Sequence, residues 1–240
     1  MTDLLYLSDC NNTMTFTASV TRCESHSIFL NRTYFYPGGG GQPADNGWLE
    51  WETGRANVIS ARKDHGHVRH EIELIEGKLP KEGAAVNGRI DEGRRQQLTR
   101  SHTAQHLLSC IALEKYSAHT VGNEVSIKGS TIKFDGALFN TDDIMFLERR
   151  ANELIETNLP VTKENQPRSE VETEVPEGRA RLDLIPESVD PLRIVRIGEF
   201  DVCPCGGTHV SELRDIGNIE ITDYSITEDD LSVIRFCLYD

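Results

Sequence analysis

The chain has 240 residues and carries 25 Lys+Arg against 39 Asp+Glu, a formal net charge of −14. Charged residues at 27% and hydrophobic residues at 38% are typical of a globular protein and exclude disordered and fibrous classes. No apolar run approaches the roughly 20 residues of a bilayer span, and Met1–Cys10 lacks a signal-peptide layout, so we expect no membrane partner. Six cysteines are too few for a disulfide scaffold, and we expect a cytoplasmic protein.

The charge is unevenly distributed along the chain. Residues 86–133 hold seven basic and four acidic side chains, a balance of +3, whereas residues 134–240 have a balance of −14. The total charge excludes a general nucleic-acid binder, but only local charge matters within a Debye length of about 8–10 Å. A solvated helix face is the simplest interpretation of this basic segment, and a local contact with a polyanion is the alternative.

The first part of the sequence has the pattern of β structure. Short apolar or alternating stretches are separated by Gly, Asn, Asp and Pro, which favours a small barrel or sandwich. The predicted strands lie at Thr15–Val20, Ser27–Leu30, Ala56–Ser60 and His67–Glu73. The best domain junction is Lys78–Gly88, which contains Pro80 and Gly83.

The second part predicts helices packed on a mainly antiparallel sheet, an α+β arrangement. Helical spacing of Ala104, Leu107, Leu108 and Ile111 predicts a helix over Glu92–Glu114. A second helix is expected to be capped by Thr141, to bury one apolar stripe, and to stop at Asn158. That stripe consists of Ile144, Leu147, Ala151, Leu154 and Ile155. Further strands are predicted at Glu124–Ile127, Ser130–Phe134, Leu192–Ile197, Ile219–Tyr224 and Leu231–Leu238.

Two histidines in the first helix, His102 and His106, are spaced so that both can reach one ion. Such pairs are also common as ordinary surface or core residues. Thr103 occupies the position where a zinc metalloprotease helix has its glutamate, which excludes that enzyme class.

A second half-site lies far downstream in the stretch DVCPCGGTHV. Cys205 and His209 flank a glycine turn, and together with the two helix histidines they form a four-ligand set suited to zinc. A buried structural cysteine is the alternative for Cys205. Cys203 is a competing ligand, although Pro204 makes joint ligation by both cysteines a poor geometric fit.

Four consecutive glycines, Gly38–Gly41, precede Gln42 in the stretch YPGGGGQPADNG. Ordering them costs much entropy, so they require a reason. One reason is a wide hairpin tip, and the other is a backbone that approaches a ligand closely, with Gln42 as a polar contact. The stretch lacks the ending of a P-loop and the spacing of a dinucleotide fingerprint, so we expect no ATP or NAD.

Together these motifs resemble the AlaX family of free-standing alanyl-tRNA editing proteins, which is related to the editing domain of alanyl-tRNA synthetase. The resemblance extends from about Phe35 to Ile221 and also includes the stretch Gly129–Asp135. It implies a β-barrel-like domain at 1–87, followed by an α/β editing domain at 88–240. It further implies one Zn²⁺ ion, with His102, His106, Cys205 and His209 as ligands.

The family reaction is hydrolysis of the ester that joins a wrong amino acid, usually serine and in some members glycine, to the 3′ end of tRNA(Ala). The predicted catalytic residues are Gln42, Thr103 and Thr208. Thr103 or Thr208 would pair with the serine hydroxyl, which alanine lacks. The residues predicted to contact the acceptor end of tRNA(Ala) are Gly39, Gly40, Gly41, Gln42, Arg94, Arg95 and Arg100.

Two other functions fit the same residues. A structural-zinc RNA-binding module without hydrolase activity is one, because four protein ligands usually close a structural site. Hydrolysis of a small non-RNA acyl ester is the other. Nothing in the 240 residues has the pattern of an ATP-dependent adenylation domain.

Overall fold

A computed structural model describes residues 1–8 and 13–240 of the chain. The chain divides into two compact units, Met1–Gln97 and Leu98–Asp240. The described strands are β1 (Asp3–Leu4), β2 (Thr15–Glu24), β3 (Ser27–Leu30), β4 (Arg32–Thr33), β5 (Gly47–Trp51), β6 (Gly54–Asp64), β7 (His67–Gly77), β8 (Ala85–Ile90), β9 (His119–Glu124), β10 (Ser130–Asp135), β11 (Val161–Gln166), β12 (Leu192–Ile197), β13 (Asp201–Pro204), β14 (Asn218–Ile226) and β15 (Ser232–Tyr239). The α-helices are α1 (Glu92–Tyr116), α2 (Thr141–Thr157) and α3 (Arg168–Glu174), and short 3₁₀ turns lie at Leu5–Leu7, Leu182–Leu184 and Leu213–Ile216.

A closed barrel forms the core of the first unit, with the strand order β2-β3-β7-β6-β5-β8. Its strands alternate as a closed sheet requires: Phe16 and Ala18 are buried, whereas Thr15 and Thr17 are exposed. Phe35 and other apolar side chains fill the interior. The predicted small barrel is therefore confirmed.

The strand β8 closes this barrel, because it pairs with β2 on one side and with β5 on the other. The predicted junction Lys78–Gly88 overlaps this strand, and a division after residue 87 falls inside it. Asn87 and Gly88 interrupt the sequence pattern of β8, and for that reason it was not predicted. The domain division at 87/88 stays a prediction.

Helix α1 contains the predicted helix and extends two residues beyond its predicted end. The four apolar residues that predicted it, from Ala104 to Ile111, are all buried in the core of the second unit. This core fixes which face of α1 is turned inward, and therefore where its histidines lie.

The apolar stripe predicted for α2 is also buried in full. The predicted cap is wrong by one residue: the side chain of Asn140 accepts hydrogen bonds from the backbone N–H groups of Asp142 and Asp143. The Asp143 carboxylate accepts from the Asn140 backbone N–H in return, which completes a capping box. Asn158 ends the helix in a left-handed conformation with φ 53°, as its sequence position predicted.

Two antiparallel sheets complete the second unit, one with the order β14-β15-β10-β9 and one with the order β11-β12-β13. This confirms a mixed fold with mainly antiparallel pairing. The strand predicted at Glu124–Ile127 is wrong, since β9 ends at Glu124. The Ser126 N–H donates to the Ser130 hydroxyl at 3.1 Å and the Lys128 N–H donates to the Ser126 hydroxyl at 3.2 Å, so the chain turns there.

Among the described residues, none of the helices combines the length and the apolar character that crossing a bilayer requires.

Candidate metal centre

The second unit brings the four predicted ligands together. His102 and His106 lie one turn apart on α1, and Cys205 and His209 lie on the loop after β13. One ligand atom from each of the four residues lies within 4.8 Å of the other three. The Cys205 Sγ is 3.6 Å from His102 Nε2 and 3.3 Å from His209 Nε2.

The chemistry of this cluster fits a metal ion. His102, His106 and His209 are between 0% and 4% exposed, and Cys205 is half-buried. Three imidazole nitrogens and one thiolate are a donor set preferred by zinc. The four ligand atoms lie close enough together for one cation to contact all of them.

Thr103 holds His209 in place. Its hydroxyl donates to the Thr99 carbonyl at 3.1 Å, lies 3.2 Å from His209 Nδ1, and accepts from the Val210 N–H at 3.2 Å. A hydroxyl has a single proton, and Thr103 donates it to the Thr99 carbonyl. The Thr103 oxygen therefore accepts a hydrogen bond from a protonated Nδ1 of His209. The Nε2 lone pair of His209 is then directed at the cluster.

These contacts speak against the predicted role of Thr103 as partner of a serine hydroxyl, and that role stays a prediction. Its one donor and both acceptor positions are occupied within the protein, and the residue is 0% exposed. Thr208 is also 0% exposed and its hydroxyl lies 2.7 Å from that of Thr99. Its predicted catalytic role stays a prediction.

The Cys205 loop is fixed by backbone and guanidinium contacts. The Gly207 N–H points at Cys205 Sγ over 3.3 Å, which favours a thiolate. The Arg193 guanidinium donates to the carbonyls of Cys205 at 2.6 Å and Gly207 at 3.1 Å, and the Cys205 N–H donates to the Arg193 carbonyl. These contacts attach the loop to β12.

His106 is held by a buried ion pair that the sequence did not predict. Arg179 and Asp201 form two hydrogen bonds of 2.6 Å, and both residues are at most 7% exposed. Asp201 Oδ2 lies 3.7 Å from His106 Nδ1, and Arg179 Nη2 lies 3.3 Å from the same atom. The Nδ1 atom therefore has a carboxylate and a guanidinium as neighbours, and the negative charge of Asp201 acts to raise the basicity of the ring.

The electrostatics of the cluster follow from these contacts. Burial alone would raise the pKa of the Cys205 thiol, but His102, His209 and His106 outweigh it and hold that pKa well below its usual value. Burial and the neighbouring His102 lower the pKa of His209. Burial also acts to lower the pKa of His106, but Cys205 and Asp201 together raise it.

Cys203, the competing ligand, has a different environment. It is buried on β13, and burial raises its pKa to about 12, so it stays a protonated thiol. It is not among the four residues whose ligand atoms converge.

The glycine-rich loop lies in the first unit and shows why four glycines follow one another. Gly38, Gly39, Gly40 and Gly41 all have positive φ, between 57° and 136°, which side chains rarely allow. Reciprocal backbone hydrogen bonds of 3.0 Å join Gly39 and Gln42. Gln42 is 2% exposed. The conformation accounts for the glycines, and the contact of Gly39–Gln42 with substrate stays a prediction.

The three arginines predicted to contact tRNA have different surroundings. Arg95 is 1% exposed and is ion-paired with Asp45, and its Nη2 donates to the Tyr34 carbonyl at 2.8 Å. A guanidinium buried and paired in this way is poorly placed for a phosphate, and the tRNA contact of Arg95 stays a prediction. Arg94 is half-buried and donates to the Ala44 carbonyl, and Arg100 pairs with Asp240 at 2.8 Å.

Sequence reasoning thus missed the supports of the cluster, namely Thr99, Arg179, Arg193 and Asp201. Only Asp201 carried a signal, because an acidic residue lies in the same short stretch as two cysteines and a histidine. The partner of that carboxylate, Arg179, is 22 residues away, and nothing in the sequence marks the pair.

Comparison with known proteins adds the family context. Residues 7–94 match the model for tRNA synthetases class II (A), and residues 192–236, which include Cys205 and His209, match the model for the threonyl and alanyl tRNA synthetase second additional domain. The alanyl-tRNA editing protein AlaX-M of Methanosarcina barkeri is 34% identical over 226 residues, which cover 92% of each chain.

Longer proteins match in part. The AlaX-L editing protein of Pyrococcus horikoshii is 33% identical, and the match covers 87% of this chain and 50% of that protein. The alanine–tRNA ligase of Methanopyrus kandleri is 36% identical over 87% of this chain but only 23% of the ligase. The chain therefore spans about a quarter of the ligase and nearly the whole of AlaX-M, and it belongs to the AlaX family of alanyl-tRNA editing proteins.

Proposed function

We propose that this protein is a trans-editing hydrolase that removes serine from mischarged tRNA(Ala) by hydrolysing the ester at the tRNA 3′ end in the cytoplasm. Glycine is the second amino acid proposed as a substrate. The observation that carries the proposal is the convergence of His102, His106, Cys205 and His209. It occurs in a chain that matches 92% of a protein named for alanyl-tRNA editing. Neither ATP nor NAD has a part in this reaction.

His102, His106, Cys205 and His209 would hold one Zn²⁺ ion. When bound, zinc supplies a Lewis acid that can polarise a carbonyl or lower the pKa of a water molecule. Other residues of the chain set the position and charge of the zinc ligands. Thr103 orients His209, the charge of Asp201 raises the basicity of His106, and the Gly207 N–H stabilises negative charge on Cys205. An aminoacyl ester is already activated, so exact positioning can supply much of the remaining rate enhancement.

Thr208 is the residue proposed to distinguish serine from alanine. A site that pairs with a substrate hydroxyl leaves a buried polar group unsatisfied when the hydroxyl is missing, and this discriminates strongly. We expect Thr208→Val to lower the ratio of Ser-tRNA(Ala) to Ala-tRNA(Ala) hydrolysis. Thr103→Val is the matched control, because Thr103 contacts His209 and its loss should weaken metal binding without changing that ratio. An unchanged ratio in Thr208→Val would exclude this role.

Arg94 and Arg100 are proposed as contacts to tRNA phosphates. Each Arg→Gln substitution should weaken tRNA(Ala) binding and lower the slope of log affinity against log salt by about 1. A salt slope equal to that of the unmodified protein would rule these residues out.

A structural-zinc RNA-binding module is the second candidate, and one observation favours it. Four protein ligands usually make a closed structural site, whereas catalytic zinc keeps an open position. The two functions differ in one measurement: purified protein is incubated with Ser-tRNA(Ala), with and without a chelator. Editing predicts hydrolysis that the chelator abolishes while circular dichroism stays native, and no hydrolysis at all would contradict editing and favour the structural module.

Two cysteine variants make this test specific. Cys205→Ala should lose both zinc and hydrolysis, whereas Cys203→Ala, two residues away and outside the cluster, should keep both. Equal losses in the two variants would contradict the proposed ligand set. A hydrolase for small non-RNA acyl esters would show no competition by excess uncharged tRNA(Ala), whereas the proposed editing activity is inhibited by it.

A further inference from the structure

Two guanidinium groups lie near the ring of Trp48, which is on β5. The guanidinium carbon of Arg89 is 5.2 Å from the centroid of the Trp48 ring, and that of Arg55 is 5.4 Å away. Both distances lie within the roughly 6 Å range of cation–π attraction. The barrel unit therefore holds an aromatic ring and two positive charges at one place.

This group lies on the outer surface of the barrel. Along β5, Leu49 and Trp51 are buried, whereas Trp48 is half-buried and Glu50 is exposed. Since side chains alternate along a strand, Trp48 points away from the barrel interior. Arg89 is its direct cross-strand neighbour on β8.

The charges of Arg55 and Arg89 are not neutralised. Within residues 1–8 and 13–240, they are the only arginines whose guanidinium groups make neither an ion pair nor a hydrogen bond. Arg62, on the same barrel, is paired with Glu71 at 3.2 Å. Glu50 is the cross-strand neighbour of Arg55, yet the two form no ion pair.

A hollow of about 490 Å³ lies beside the ring. Trp48 and Arg89 line it together with Thr15, Thr17 and Asn87, which offer hydroxyl and amide groups at its wall. Phe16, Gly88 and Glu50 complete the lining. Glu50 is the single acidic group among the residues of this lining.

We propose that Trp48, Arg55, Arg89 and this hollow, together called the Trp48 face, bind a single-stranded segment of RNA. A nucleobase stacks on Trp48, and the two guanidinium groups bind the flanking phosphates. Aromatic rings interleaved with arginines are the usual construction of single-strand binding surfaces, because every base has a face that can stack. The inference deepens the proposed function, on which it depends for the RNA being tRNA(Ala).

Tryptophan fluorescence tests the stacking directly. The sequence has two tryptophans, and the second, Trp51, is 7% exposed and donates its Nε1–H to the Lys78 carbonyl. Titration with uncharged tRNA(Ala) should quench the Trp48 emission of the intact protein. In Trp48→Phe the remaining Trp51 emission should not change on titration. Quenching that persists in Trp48→Phe, or an intact protein that shows none, would overturn the proposal.

Affinity measurements test the charges. Trp48→Ala should weaken tRNA(Ala) binding on the order of tenfold, the loss expected for one stacked base. Arg55→Gln and Arg89→Gln should each lower the salt slope by about 0.7, the value for one single-strand phosphate. Glu50→Gln should tighten binding. Arg62→Gln is the matched control, with the same charge change on the same barrel, and should leave both affinity and slope unchanged.

Four other outcomes of these measurements bear on the proposal. Equal effects of Arg62→Gln and Arg89→Gln would mean that total charge alone matters, and this would overturn the proposal. So would binding of anionic phospholipid vesicles that depends on Trp48 while tRNA(Ala) binding does not. Unchanged affinity in Trp48→Ala with normal hydrolysis of Ser-tRNA(Ala) would reject the Trp48 face and keep the proposed function. Trp48-dependent binding of tRNA(Ala) without hydrolysis of Ser-tRNA(Ala) would keep the Trp48 face and reject the proposed function.

Discussion

Both units bury polar and charged side chains, but the two sets are completed differently. In the barrel unit, Arg95 is paired with Asp45. His70 is held by the Ile28 carbonyl at Nδ1 and by the Thr33 hydroxyl at Nε2, each at 2.9 Å. These groups find their partners within the protein.

In the candidate metal centre the ligand atoms of four residues lie within 4.8 Å of one another. The outer sides of His106 and His209 have protein partners, Asp201 and Thr103, while the inner sides converge. The difference separates a polar network that is completed within the barrel from one whose donor set fits a cation. Arg95–Asp45 and Arg179–Asp201 are the same kind of buried pair, yet only the second touches a ligand.

The largest expected effect comes from Asp45→Asn. It leaves the buried Arg95 charge without its counterion, and removing one partner of a buried pair costs about 3–5 kcal/mol. Both tryptophans lie in the barrel unit, so urea unfolding followed by tryptophan fluorescence reports this loss. Glu71→Gln, which breaks the exposed pair with Arg62, should cost at most about 1 kcal/mol. Zinc affinity should be unchanged in both variants, and a loss of zinc in Asp45→Asn would break the comparison.

Asp201→Asn should act on the metal. The carboxylate behind His106 increases the basicity of this proposed ligand, and losing such a group typically costs 10–100-fold in metal affinity. Competition with a chromogenic chelator measures this value. Zinc affinity equal to that of the unmodified protein would show that the Arg179–Asp201 pair only stabilises the fold, like its counterpart in the barrel.

The smallest effect is a pH dependence of the barrel. Burial lowers the pKa of His70 from 6.5 to about 4, although its hydrogen bond to the Ile28 carbonyl acts in the opposite direction. Between those values the unfolded chain binds more protons than the folded one, so stability falls as the pH falls below 6.5 and levels off below 4. At pH 5.5 the loss relative to pH 7.5 should be about 1 kcal/mol.

Urea unfolding followed by tryptophan fluorescence at these two pH values tests the assignment. His70→Gln should lose this part of the pH dependence, whereas His65→Gln, at a side chain that is 99% exposed, should keep it. The same pH dependence in His70→Gln as in the unmodified protein would contradict the role of His70.

Where the sequence predicted correctly, the signal was local. The apolar spacing from Ala104 to Ile111 predicted α1, and the same periodicity predicted the buried stripe of α2. The four converging residues were also identified, because two helix positions one turn apart and a short glycine turn each fix a pair of side chains. Zinc binding itself was an expectation that these pairs supported.

Where it failed, the partner was distant or the element was polar. Asp45 lies 50 residues from Arg95, so a basic residue in a positive segment was taken for a surface residue. The strands β11 and β13 were missed because β11 carries Lys163, Glu164 and other polar residues and β13 has only four residues. Thr103 was assigned to substrate because the sequence does not show its hydrogen-bond partners. These are the backbone groups of Thr99 and Val210 and the side chain of His209.

Zinc titration of the metal-free protein tests the central claim most directly. The rate of Ser-tRNA(Ala) hydrolysis is followed as zinc is added to protein stripped by a chelator. We predict a rate that rises linearly and stops rising at one zinc per chain, with no such rise in Cys205→Ala. Hydrolysis at full rate before any zinc is added, or no hydrolysis at one equivalent, would contradict the account.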